Sequence, residues 1–255
     1  MTEALAGLLG LGQETLAAWF AVFLRVGAVM AVLPAFGERA VPARIRLGLA
    51  LAFTFIVAPA APPIQAANLT PHAFAAEVAA GLILGLGLRL FILALQTAGA
   101  IAAQATSLAQ IFGGSAGVDP QPAVGHLLTM AGLALAVMSG LHIRVAEALI
   151  SSYGPLPAGV FPDAGLVATW GTWRVAEAFA LAFSLSAPFV VASLVYNVAL
   201  GVINRAMPQL MVAFVGAPAL TLGGLALLAL AAPSLLEVWL GAFGRYLADP
   251  LAAPT

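Results

Sequence analysis

The chain has 255 residues, of which 63% are hydrophobic and 7% charged, with 26 glycines besides and a formal net charge of −1. A soluble domain carries about 25% charged residues, and a fold of this size cannot cover its surface with so few. The composition excludes a cytosolic globular enzyme, a disordered chain and, for want of a basic stripe, a nucleic-acid binder. A polytopic membrane protein remains. Cysteine is absent, so there is no disulfide framework, thiol catalysis or thiolate metal site. Glu3 and Glu14 precede the first cation, Arg25. A secretory signal needs a positive n-region, so no cleaved signal is expected and the first apolar segment stays in the mature protein.

In chain order, Leu16–Phe36 is the first long apolar segment, interrupted only by Arg25. A short loop with Arg39, Arg44 and Arg46 follows. Pro42 opens a second helix that runs to about Val57 and stops at Pro59, Pro62 and Pro63. Thr70-Pro71 reads as N-cap and first-turn proline of a long segment, Phe74–Thr106. Residues 107–121 are a glycine-rich break. Pro122–Ser152 is apolar again, and Tyr153–Thr172 reads as a proline-bearing loop. Trp173–Ile203 and Pro208–Leu247 form a final pair joined near Asn204-Arg205. The expectation is an all-α fold of about six apolar, partly kinked helices, with no strand pattern. Pro188, Gly216-Ala217-Pro218 and Gly223-Gly224 are expected to kink or interrupt the last two. The lengths do not suit one bilayer. At ~1.5 Å per residue Pro42–Val57 rises about 24 Å and Phe74–Thr106 about 50 Å, against a ~30 Å hydrocarbon core. Either long helices are broken, or some apolar surface faces protein rather than lipid. The arginine loops at 39–46 and at Arg205 are expected to be cytoplasmic and both termini outside.

Arg25 sits inside an apolar segment, where it either marks a pathway or subunit contact, or snorkels to the interface, or pairs with a neighbouring helix's glutamate. Glu77 and Arg89 are twelve apart and cannot meet on one helix, so each needs a partner on another helix or chain. Arg144 with Glu147, and Arg174 with Glu177, have the spacing of local ion pairs. Gly81, Gly85 and Gly87 let another helix approach closely. The break Gln110-Ile111-Phe112-Gly113-Gly114-Ser115 is either an exposed loop or an apolar stopper of a water-filled path. Asp119-Pro120 after it reads as N-cap and first-turn proline. Gly113–Gly117 also matches Gly-x-Ser-x-Gly, which would make Ser115 the nucleophile of an intramembrane serine hydrolase, with His126 or His142 as base. The strand-turn-helix context of that motif is missing. The three histidines show no metal-ligand spacing, and no phosphate- or dinucleotide-binding fingerprint is present. No cofactor is expected.

Three blocks together resemble the FliR family of flagellar export-gate proteins. They are Phe23–Ala52 (FLRVGAVMAVLPAFGERAVPARIRLGLALA), the break ending in Val118-Asp119-Pro120-Gln121, and Tyr196–Pro218 (YNVALGVINRAMPQLMVAFVGAP). Their order and spacing agree over nearly the whole chain; Met211, Ala213 and Ala217 depart from the residues common in relatives. The resemblance implies a single export-gate domain over 1–255. Within it, residues 1–172 are FliP-like, with a plug loop in 107–121, and residues 173–255 are a FliQ-like helical hairpin. It implies a non-enzymatic subunit in the bacterial inner membrane, at the flagellar basal body. There it joins FliP- and FliQ-like subunits in a helical closed channel that passes unfolded export substrates. By the same resemblance the plug falls on Gln110, Ile111, Phe112, Gly113, Gly114 and Ser115. The hairpin tip at Arg205, Pro208 and Gln209 lies near FlhB- and FlhA-like proteins. Assembly contacts are expected at Arg25, Glu77, Arg89, Arg39, Arg44, Arg46, Asp119, Pro120, Gly216 and Pro218. A stand-alone small-solute transporter with broken helices is the alternative; it predicts an internal two-fold repeat and a polar midplane site.

Overall fold

The computed structural model describes residues 2–37, 41–62, 70–106, 123–207 and 212–252, with the side chains of 2–11 and 212–217 outside the description. Among the described residues there are seven helices and no strand: α1 Thr2–Val32, α2 Ala43–Val57, α3 Pro71–Ala105, α4 Ala123–Met138, α5 Leu141–Ser151, α6 Ala164–Ala206 and α7 Val212–Ala248. The starts follow local chemistry. Pro42 lies just ahead of α2, and its carbonyl accepts from the N–H groups of Ile45 and Arg46. Thr70 caps α3, its Oγ1 accepting from Ala73 N at 3.2 Å. Asp163 caps α6, its Oδ1 accepting from Leu166 N at 2.9 Å.

Two expectations change. The apolar run Pro122–Ser152 is not one helix: it breaks at Gly140, whose φ of +83° only glycine adopts cheaply. Helix α6 starts at Ala164 rather than Trp173, because the Asp163 cap opens it inside the stretch that reads as loop. Of the kink or interruption expected in the last two helices, interruption does not occur: α6 runs on through Pro188 and α7 through Pro218 and Pro233. Each removes one donor, and the flanking apolar helix still closes its remaining bonds.

The chain divides into two compact units. The first holds residues 1–90, 137–174 and 244–255. Val26, Val29, Met30 and Leu33 of α1, Leu84 and Leu88 of α3, and Val145 and Leu149 of α5 are all buried there. α1 and α3 approach at Gly81 and Gly85; a Cβ on Gly81 would collide with the Arg25 carbonyl oxygen. Trp19 of α1 meets Phe55 of α2 edge to face at 5.3 Å. Tyr246 donates its hydroxyl to Leu84 O at 3.2 Å, over Gly87, where any side chain would displace it.

The second unit holds residues 91–136 and 175–243. The backbones of α3 and α4 touch where Gly99 faces Gly125. Trp239 is fully buried; its Nε1 donates to Phe91 O at 2.8 Å and its ring stacks on Phe243. Buried hydroxyls bond within their own helices, as Thr106 does to Ala102 O and Thr129 to Gly125 O.

Among the described residues four helices are long and apolar enough to cross a membrane, over Gly12–Val32, Pro71–Ala105, Ala164–Ala206 and Pro218–Ala248, or five spans if α4 and α5 count as one broken crossing. In their most apolar stretches only 28% of α6 and 11% of α7 is buried within the chain. A water-soluble fold cannot leave such surface bare. The chain is a polytopic all-helical membrane protein.

Candidate functional site

Arg25 cannot stay charged in an apolar helix without partners. α1 carries it to face Glu77 on α3, and both side chains are 1% exposed. Arg25 Nε donates to Glu77 Oε2 at 2.7 Å and Nη2 to Oε1 at 3.2 Å, a two-pronged contact that fits a guanidinium fork to a carboxylate. The remaining donors reach the loop after α5: Nη1 to Ser152 Oγ at 3.1 Å and Nη2 to Leu156 O at 3.0 Å. Gly159 N donates to Glu77 Oε1 at 2.8 Å, with a φ of +74° that suits glycine. The Tyr153 ring lies 3.8 Å from the guanidinium carbon. Burial pushes the Tyr153 phenol above its ordinary range, against the lowering effect of Arg25. Its hydroxyl has no hydrogen-bond partner among the described residues.

The network ties α1, α3 and the loop 152–159 into one fixed arrangement. A buried ion pair adds little net stability relative to an apolar core, but losing one partner strands the other charge. Every hydrogen-bonding nitrogen of Arg25 is used. The arrangement serves to hold geometry; no nucleophile beside a base is formed by it.

A second anchor lies in the same unit. Pro250 O accepts from Trp170 Nε1 at 3.0 Å and from Arg174 Nη2 at 3.3 Å. The Arg174 guanidinium carbon lies over the rings of both Trp173 and Tyr246, 4.3 and 4.7 Å from their centroids. The chain just after the α7 end is thereby clamped to the first turns of α6.

Among the expected assembly residues the structure brings Arg25 and Glu77 together. Arg89 is half-buried on α3 and has no ion pair among the described residues. Arg44 is exposed and Arg46 half-buried on α2; Arg205 is exposed in the last turn of α6 and Pro218 exposed on α7. Gly216 lies within α7. Arg39, Gln110, Ile111, Phe112, Gly113, Gly114, Ser115, Asp119, Pro120, Pro208 and Gln209 lie outside the described residues. Arg144 and Glu147 do not form their expected pair: both are exposed on α5, and the guanidinium of Arg144 reaches toward Gly244. Water solvates such a pair at no ordering cost. Ser152, Tyr153, Gly159 and the Trp170–Arg174–Pro250 clamp escape sequence reasoning. The one available signal was Gly159 set among prolines, a place where a left-handed turn is common.

The bacterial export proteins, family 1, match residues 16–246. The flagellar biosynthetic protein FliR of Caulobacter vibrioides is 36% identical over 224 residues, covering 86% of this chain and 89% of that protein. FliR of Escherichia coli is 30% identical over 230 residues, covering 84% of each. FliR of Bacillus subtilis is 29% identical over 215 residues, covering 79% of this chain and 80% of the relative. Both the Arg25–Glu77 pair and Arg174 of the clamp fall within the matched span. On this agreement over most of its length, the chain belongs to the bacterial export proteins, family 1, and within them to the FliR proteins of flagellar biosynthesis.

Proposed function

We propose that this chain is a structural subunit of the flagellar type III export gate in the bacterial inner membrane. It joins FliP- and FliQ-like subunits there and contacts FlhB- and FlhA-like proteins near Arg205, Pro208 and Gln209. Residues 1–172 take the FliP-like place and 173–255 the FliQ-like place. The segment Gln110–Ser115 closes the pore until unfolded flagellar substrates pass. The role is mechanical, not catalytic.

One observation carries this reading beyond family membership. Helix α6 has 43 residues and exposes apolar side chains along its whole length, from Leu166 through Phe183 and Leu194 to Val202. At ~1.5 Å per residue it rises about 64 Å, roughly twice a ~30 Å hydrocarbon core. Tilt absorbs only part of that excess. The surplus apolar surface fits burial against neighbouring subunits, as in an assembly that stands partly out of the bilayer.

The test is co-expression with FliP- and FliQ-like chains from the same genome. The proposal expects a stable complex on co-purification, and raised ion leak across the membrane when Ile111–Gly114 is shortened. A well-behaved monomer that transports a small solute would overturn it.

A further inference from the structure

Helix α3 turns one stripe away from the rest of the first unit. Ala75, Ala79, Leu82, Leu86 and Arg89 follow one another at steps of four, three, four and three residues. That alternation keeps them on one face, and it is the spacing at which one helix meets another along a seam. Leu82 is 39% and Leu86 50% exposed. The stripe cannot turn inward, because the neighbouring row is already committed. Gly81 and Gly85 lie against α1, and Gly87 lies under the Tyr246 hydroxyl.

Arg89 is the odd member of the stripe. It stands near the middle of the 35-residue helix and makes no hydrogen bond, ion pair or ring contact among the described residues. None of its nitrogens is buried without a partner, so the guanidinium opens on the outer surface of the chain. Glu77 on the same helix is about 18 Å away along the axis at ~1.5 Å per residue. Its oxygens are already held by Arg25 and Gly159.

Charge says what covers this face. An apolar helix laid over Leu82 and Leu86 takes the neighbouring guanidinium out of water as well. The interior carbonyls of that helix are used by its own backbone bonds. The guanidinium then needs an acidic side chain. Arg25 shows the same need met inside this chain, by Glu77. We infer that the 75–89 stripe is a docking seam for an apolar helix of a neighbouring gate subunit, whose own carboxylate pairs with Arg89. The inference rests on the reading of the chain as a gate subunit. The leucines supply contact, and the single ion pair sets the register and the helix that is accepted.

The test uses the full chain co-expressed with FliP- and FliQ-like chains from the same genome. Arg89 has no partner inside the described chain, so Arg89→Leu should leave the thermal midpoint of the chain alone in detergent unchanged or higher. The yield of co-purified complex should fall about tenfold or more, because the partner's carboxylate is left stranded. Arg89→Lys keeps the charge and should lose less. Arg89→Glu should fall as far as Arg89→Leu, and replacing one acidic residue in an apolar segment of a co-expressed subunit by arginine should restore it. An unchanged yield for Arg89→Leu, equal losses for Arg89→Leu and Arg89→Lys, a lowered midpoint of the chain alone, or no acidic residue whose reversal rescues Arg89→Glu would each overturn the inference. An unaltered chain that brings down no subunit would overturn the gate-subunit reading itself, and the inference with it.

Discussion

Replacing Glu77 by glutamine changes almost no volume, so its effect isolates charge. The amide keeps one carbonyl oxygen for Gly159 N, now held at 2.8 Å. Its NH2 group then faces the Arg25 Nε that lies 2.7 Å from Oε2, donor against donor. The guanidinium is 1% exposed and has no other carboxylate within reach among the described residues. Breaking a buried pair from one side costs about 3–5 kcal/mol. The retained Gly159 bond puts Glu77→Gln near the lower end, about 3 kcal/mol, or a factor of more than 100 in the folding equilibrium. Tyr153→Phe is the matched control. It keeps the ring against Arg25 and deletes a buried hydroxyl that has no partner among the described residues, so it should be neutral or slightly stabilising. Denaturant titration of the full complex in detergent, followed by a probe on the loop 152–159, reads both. A Glu77→Gln loss below about 1 kcal/mol, or a Tyr153→Phe loss as large as that of Glu77→Gln, refutes the reasoning.

Two glycines should respond in opposite directions. Gly81→Ala puts a Cβ into the Arg25 carbonyl and must push α1 from α3, costing about 1–3 kcal/mol; Gly48→Ala on α2 meets nothing within 4 Å and should stabilise by about 0.5–1 kcal/mol. Thermal unfolding of the two variants checks the sign. Gly140→Ala has space but not the φ of +83°, and should lose about 1–2 kcal/mol with hydrogen exchange rising first at the start of α5. Trp239→Phe removes the donor to Phe91 O, whose carbonyl keeps its helical partner, so the loss should stay at about 0.5–1.5 kcal/mol; a larger drop in midpoint means the indole does more than bond.

The long apolar runs were legible because 18 or more such residues in a row admit few alternatives. Thr70-Pro71 marked the α3 start correctly because a cap and a first-turn proline are local chemistry. The break at Gly140 was not legible. Ser139-Gly140 carries no proline, and a single glycine inside an apolar run reads as a packing site as readily as a turn. The early start of α6 was hidden by prolines at 155, 157 and 162, which make the Asp163 cap look like more loop. Burial cost made a glutamate on a neighbouring helix one of the readings of Arg25, beside snorkelling and a subunit contact. That the partner is Glu77, 52 residues on, follows from how α1 docks on α3 at Gly81 and Gly85, and no periodicity within either helix encodes it. Arg144 and Glu147 show the reverse case, where the right spacing on an exposed face produces no pair.

The central claim is that apolar helix surface in this chain is covered by other subunits rather than by lipid. The chain has no cysteine, so single cysteines at Phe179, Val191 and Val202, all more than half exposed along α6, can each carry a spin label without background. Oxygen collision rates at these labels report contact with hydrocarbon. The account predicts high rates for the chain alone in bilayers and a fall at all three positions once FliP- and FliQ-like subunits are assembled with it. Unchanged, lipid-like rates at all three in the assembled complex would contradict it.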